Sequence, residues 1–99
     1  MQVISKRALR QFWEQYPRAK RPLYRWHKLV LKERWTEPED IKALFGTSVD
    51  FVGDNRVIFD IGGNKYRLVV YVVYDPYYRV LVKFVGTHEE YDQIDPETV

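Results

Sequence analysis

The chain has 99 residues, enough for one small domain with a single two-layer core. It contains no cysteine, which excludes a disulfide scaffold, a thiolate metal site and a cysteine nucleophile and fits a reducing, cytoplasmic setting. The net charge of +2 hides an asymmetry: residues 1–35 carry ten basic and two acidic side chains, residues 36–99 six and twelve. A cationic half suits a polyanionic partner such as nucleic acid, because phosphate contacts supply most non-specific affinity. No apolar run approaches the roughly 20 residues that span a bilayer, and the opening MQVISKRALRQFW has no long apolar stretch of a signal peptide.

The first third has helical spacing. Leu9, Phe12, Trp13 and Tyr16 follow i, i+3, i+4, i+7, with Ser5 as the expected cap and Pro17 as the stop. Pro22 is placed to open a second helix, PLYRWHKLVLKERW, burying Leu23, Trp26, Leu29 and Val30. Arg25, Lys28 and Lys32 fall on its other side and are candidates for gripping nucleic acid. TEPEDIKALF is a third, short helix, with Thr36 and Glu39 in the form of a capping box.

From Val49 the period changes to two. VDFVG, RVIFDI, KYRLVVYVVY and RVLVKFV read as strands, joined by a GGN hairpin turn and a DPYY turn. Segregated helices and strands imply an α+β fold in which N-terminal helices cover one face of a small antiparallel sheet. The other face is then expected to be free for binding. The tail THEEYDQIDPETV has weak helical character and is expected to fray.

A two-residue turn at Gly62-Gly63 would pair Asp60 with Lys65 and Ile58 with Arg67. The core face would hold Val57, Phe59, Ile61, Tyr66, Leu68 and Val70, joined by Val80, Val82 and Phe84 of the last strand. The opposite face would collect Arg56, Asp60, Lys65 and Arg67, with Lys83 beside them and His88 and Tyr91 at the strand exit. Such a group can brace a phosphate through guanidinium and ammonium, and a histidine can move protons near neutral pH. No metal or other cofactor is needed if the nucleophile is the RNA's own 2′-hydroxyl. Bland alternatives exist for each residue: a cross-strand ion pair for Lys65, a helix cap for His88, edge packing for Tyr91. With two histidines, one of them in a basic helix, a histidine-rich zinc site has no support, and DIGGNK lacks the spacing of a phosphate-binding loop.

The segments VISKRALRQFWEQYP, NRVIFDIGGNKYRLVV and FVGTHEEYD resemble the HigB family of type II toxins, and the similarity runs from about Val3 to Asp95. The resemblance implies a RelE-like fold and a ribosome-dependent mRNA endonuclease acting without a metal. Its implied partner is a HigA-type antitoxin with a helix-turn-helix domain. By motif position it puts Arg67 where such toxins carry a sheet arginine, His88 near a basic residue after the last strand, and Tyr91 near a C-terminal tyrosine. It leaves open two other functions: a poison of the same fold that binds a protein target, and a plain RNA-binding domain.

Overall fold

In the computed structural model, which describes residues Met1–Val99, the chain begins with a short strand, β1 (Gln2–Ile4), before any helix. Helix α1 (Lys6–Gln15) follows, then a 3₁₀ turn (Pro17–Ala19), α2 (Lys20–Leu31) and α3 (Pro38–Phe45). The remaining elements are β2 (Val49–Val52), β3 (Arg56–Ile61), β4 (Tyr66–Val73), β5 (Arg79–Thr87) and a one-turn helix α4 (His88–Tyr91). The sheet order is β1-β5-β4-β3-β2. It is mixed rather than wholly antiparallel, because β1 lies parallel to β5, with Gln2 opposite Arg79 and Ile4 opposite Leu81. Three residues are too few to show a period of two, so this strand carried no signal in the sequence.

The helices cover one face, as expected of an α+β fold. Leu9 and Phe12 of α1, Leu23, Trp26 and Val30 of α2, and Ile41 of α3 share one buried cluster with Val57, Phe59, Ile61, Tyr66, Leu68, Val70, Val80 and Val82. Three local expectations need correction. Ser5 precedes α1 in the left-handed region (φ 71°), and its hydroxyl makes no cap. Helix α2 starts at Lys20, two residues before Pro22, and Leu29 is exposed whereas Ala19 is buried. The capping box of α3 is Glu37 with Asp40, one residue on from Thr36 and Glu39; the Thr36 hydroxyl and amide both donate to Asp40.

The β3–β4 turn is longer than two residues. Asp60 pairs with Arg67 and Ile61 with Tyr66, leaving Gly62–Lys65 as a four-residue connection in which Gly62, Gly63 and Asn64 all have positive φ. The register is therefore two residues from the expected one. An even shift preserves which face each side chain takes, so the core face is the one read from the alternation. Along β5 the outcome differs. Val70 pairs with Val82 but Val69 pairs with Phe84, so Lys83 is an extra residue in a bulge. The bulge inverts the alternation beyond it: Phe84 joins the face of Val69 and Arg67, and Val85 packs against the core in its place.

The face away from the helices is not free. Ile58 and Val69, paired with each other there, are only 4% and 0% exposed. Helix α4 packs on β4 and β5, and the segment after it returns across the sheet until the Val99 carbonyl accepts a 3.0 Å hydrogen bond from Arg56 Nη2. Ile94, Pro96 and Val99 are half-buried along the way. The tail is anchored because it brings apolar side chains to a strip that no helix covers.

Candidate functional site

Arg67 lies on β4 at the end of the sheet near the β3–β4 turn. Its side chain is 12% exposed. Nε stands 3.2 Å from Asp60 Oδ1, and Nη1 donates to the carbonyls of Asn64 (3.3 Å) and Tyr66 (3.4 Å). The guanidinium carbon lies 5.7 Å from the centre of the Tyr91 ring. Asp60 is therefore the partner of Arg67 and not of Lys65. An arginine this covered needs such partners, since charge removed from water is stable only when paired and hydrogen-bonded. Of its amino groups, Nη2 is the one left without a protein acceptor.

Gly86 is directly opposite Arg67 on β5. A Cβ there would sit 2.5 Å from the ring of Phe84, so the absent side chain leaves the space in which that ring lies. Phe84 and Tyr91 have ring centres 6.5 Å apart, tilted by 53°. Tyr91 keeps its hydroxyl proton to higher pH than an ordinary tyrosine, chiefly through burial; Arg67 opposes this, and Asp50, Asp60 and Asp92 add to it.

Helix α4 is built by local chemistry. The Thr87 hydroxyl accepts from the Glu90 amide (3.1 Å) and the Glu90 carboxylate accepts from the Thr87 amide (2.8 Å), a complete capping box. This box ends β5 and turns the chain so that His88 and Tyr91 share one helical turn. The His88 amide also donates to the Lys65 carbonyl (3.2 Å), tying α4 to the β3–β4 turn. The His88 ring is 48% exposed, with Nδ1 3.5 Å from Asp92 Oδ2. Lys65, at the end of the turn, is exposed beside it.

Lys65 and His88 line one cavity of about 410 Å³, together with Tyr16, Thr87, Glu89 and Glu90. Arg67 and Tyr91 do not line it. The four expected catalytic residues thus fall into two adjacent groups: Lys65 and His88 in the cavity at the sheet's end, Arg67 and Tyr91 over the sheet face, both attached to α4.

The expected RNA-binding residues are more dispersed. Arg56 is 12% exposed, held by Asp54 (3.4 Å) and the Val99 carbonyl, with its guanidinium carbon 5.9 Å from the Tyr71 ring centre. Lys83 is exposed at the bulge. Arg25 and Lys28 are exposed on α2 and Lys32 just past its end, and Lys28 Nζ lies 5.6 Å from the Tyr24 ring centre. Sequence reasoning missed Tyr16 and Phe84 as neighbours of the site. Tyr16 was assigned to the core stripe of α1, and only the bulge moves Phe84. The Thr87–Glu90 box was visible as a T-x-x-E pattern.

Comparison with known proteins agrees with this architecture. Residues 19–94 match the family model HigB_toxin, described as the RelE-like toxic component of a toxin-antitoxin system. The chain is 32% identical over 93 residues to the mRNA interferase toxin HigB of Escherichia coli strain K12, covering 93% of this chain and 88% of that protein. The same identity and coverage hold for proteins named mRNA interferase HigB from Escherichia coli O157:H7 and Shigella flexneri. A sheet backed by three helices, a one-turn helix carrying His88 and Tyr91, and a match over most of its length place this chain in the HigB family of RelE-like toxins.

Proposed function

We propose that the chain is an endoribonuclease that cuts mRNA on translating ribosomes in the cytoplasm, and that a HigA-type helix-turn-helix antitoxin neutralises it. Family membership and the activity named for its relatives support the reaction class. The observation that carries the site is the cavity at the end of the sheet that an exposed histidine and an exposed lysine both line.

In this reading the RNA supplies its own nucleophile. The 2′-hydroxyl attacks the adjacent phosphorus, the bond to the 5′-oxygen breaks, and a cyclic phosphate and a 5′-hydroxyl result. One proton leaves the 2′-oxygen and one reaches the 5′-oxygen, so acid–base groups and a cation for the phosphorane charge suffice. His88 serves as acid or base, and Lys65 braces the phosphate. Arg67 adds charge from behind α4 through its free Nη2, and Tyr91 orients the substrate against it. Arg56 and Lys83 contribute positive potential from the sheet. Arg25 and Lys28 of α2, with Lys32 just past its end, hold ribosomal RNA.

The test is induced expression in a bacterial host, with primer extension on an abundant transcript. Cuts within translated codons are expected. They should disappear in His88→Ala and fall in Lys65→Ala, Arg67→Ala and Tyr91→Ala, each checked for folding. Unchanged cleavage in all four variants overturns the residue assignment. Growth arrest without cuts overturns the nuclease reading in favour of a poison with a protein target.

A further inference from the structure

Tyr16 belongs to the site although it lies far from it in sequence. It ends α1, is half-buried, and lines the cavity that holds Lys65 and His88. Its ring stacks on Phe12, with centres 4.7 Å apart and planes at 29°. Phe12 in turn meets the Tyr66 ring edge-on at 5.7 Å. Tyr66 pairs with Thr87, whose capping box carries His88. A chain of packed groups thus runs from the Tyr16 ring to the backbone that carries His88. One face of the ring is taken by Phe12, so the part bordering the cavity is its other face or its hydroxyl edge.

Pro17, the next residue, lines a second cavity of about 420 Å³ with Lys20, Arg21 and Tyr24. Tyr24 is 50% exposed. The β3–β4 turn bearing Lys65 abuts this end of α2, where a Cβ on Gly62 would lie 3.6 Å from Pro22. A pinned ring at Tyr16 and an exposed one at Tyr24, with Lys20 and Arg21 between them in sequence, are what an unpaired nucleic-acid strand needs: rings for bases, cations for phosphates. The sheet face offers less, because the tail crosses it and Arg56 and Arg67 are already engaged.

We propose that Tyr16 is a stacking residue for a nucleobase next to the scissile phosphate, and that the RNA strand leaves the Lys65–His88 cavity over Pro17 toward Lys20 and Arg21. This rests on the RNA-cleaving reading above and adds where the strand lies. A ring pinned by stacking loses little freedom when a base lands on it, which favours binding.

The experiment uses an mRNA carrying 5-iodouridine and 2′-O-methyl groups, which block cleavage, offered both free and on programmed ribosomes. Photocrosslinks to the unmodified protein are mapped by mass spectrometry. An adduct on Tyr16 is expected. Tyr16→Phe, which keeps the ring, should retain more RNA binding than Tyr16→Leu. Tyr16→Leu, once shown to be folded by circular dichroism, should weaken RNA binding roughly tenfold to a hundredfold. Crosslinks confined to the face of Arg67 and Phe84, or unchanged binding in Tyr16→Leu while the parent cleaves RNA, overturn this inference alone. A parent that neither captures nor cuts RNA overturns the function reading and this inference with it.

Discussion

Arg67 and Tyr91 form one unit: the guanidinium carbon is 5.7 Å from the ring centre while Nε is 3.2 Å from Asp60. The arginine therefore supports α4 as well as carrying charge. Arg67→Ala should destabilise the fold by about 1–3 kcal/mol, because Asp60 is left largely covered and unpaired. Asp60→Asn in the Arg67→Ala background should recover part of that loss. Urea denaturation of the four proteins of this cycle measures it, and a cost near zero for Arg67→Ala would mean that the contacts around the guanidinium contribute nothing net.

Gly86→Ala should cost about 1–3 kcal/mol, since the added methyl meets the Phe84 ring at 2.5 Å. Combining it with Phe84→Leu should restore part of the stability. If the double variant is no better than Gly86→Ala alone, the Phe84 ring is not what excludes a side chain there.

Ile58 occupies the face that alternation assigned to solvent, yet it is 4% exposed. Ile58→Ala should therefore behave as a core substitution, costing about 2–4 kcal/mol in urea melts. Removing residues 93–99 should expose the same strip and raise binding of an apolar dye. A cost under about 0.5 kcal/mol for Ile58→Ala would contradict a covering role for the tail.

Thr87→Ala removes the acceptor for the Glu90 amide and should cost about 1 kcal/mol. Cleavage should fall further than that stability loss explains, because the same cap sets the turn that holds His88. Thr87→Ser keeps a hydroxyl and should restore both. Calorimetry together with the primer-extension assay separates the two effects.

Stability should decline at both ends of the pH scale for stated reasons. Tyr91, Tyr74 and Tyr78 all hold their protons to higher pH than ordinary tyrosines, through burial for the first two and a 2.6 Å hydrogen bond to Asp75 for Tyr78. A raised native value gives stability that is present below about pH 10 and lost as the pH rises through the native values. Half-burial, with Lys6 and Lys28 nearby, pushes His27 below its ordinary value, so its contribution is present above about pH 6.5 and lost as the pH falls. Urea melts across pH should show Tyr91→Phe flattening the alkaline limb and His27→Gln the acid limb. An unaltered alkaline limb in Tyr91→Phe would assign it to the other two tyrosines.

The core face of β3 and β4 was legible even though the turn was misjudged, because a two-residue slip leaves Phe59 and Leu68 pointing the same way. Phe84 was not legible: a bulge of one residue at Lys83 is a backbone event without a distinct side-chain signature. Strand β1 was hidden because it pairs with a strand near the other end of the chain. Arg67, His88 and Tyr91 stood out from their residue types and positions. Their division into a cavity pair and a face pair depends on which side of α4 each one takes, and a four-residue helix has no period to read. The tail over Ile58 was missed because acidic residues around Ile94 and Pro96 resemble a solvated end.

The pairing of β1 with β5 has a consequence for the order in which the fold assembles. Gln2 can meet Arg79 only after almost all of the intervening chain has emerged from the ribosome, and α4 follows β5. Contacts so distant in sequence form late, since loop closure must precede them. The sheet closes, and the segment bearing His88 docks on the β3–β4 turn at Lys65, only after these elements have been synthesised, so the cavity between them is assembled late, behind helices that can form from local contacts alone.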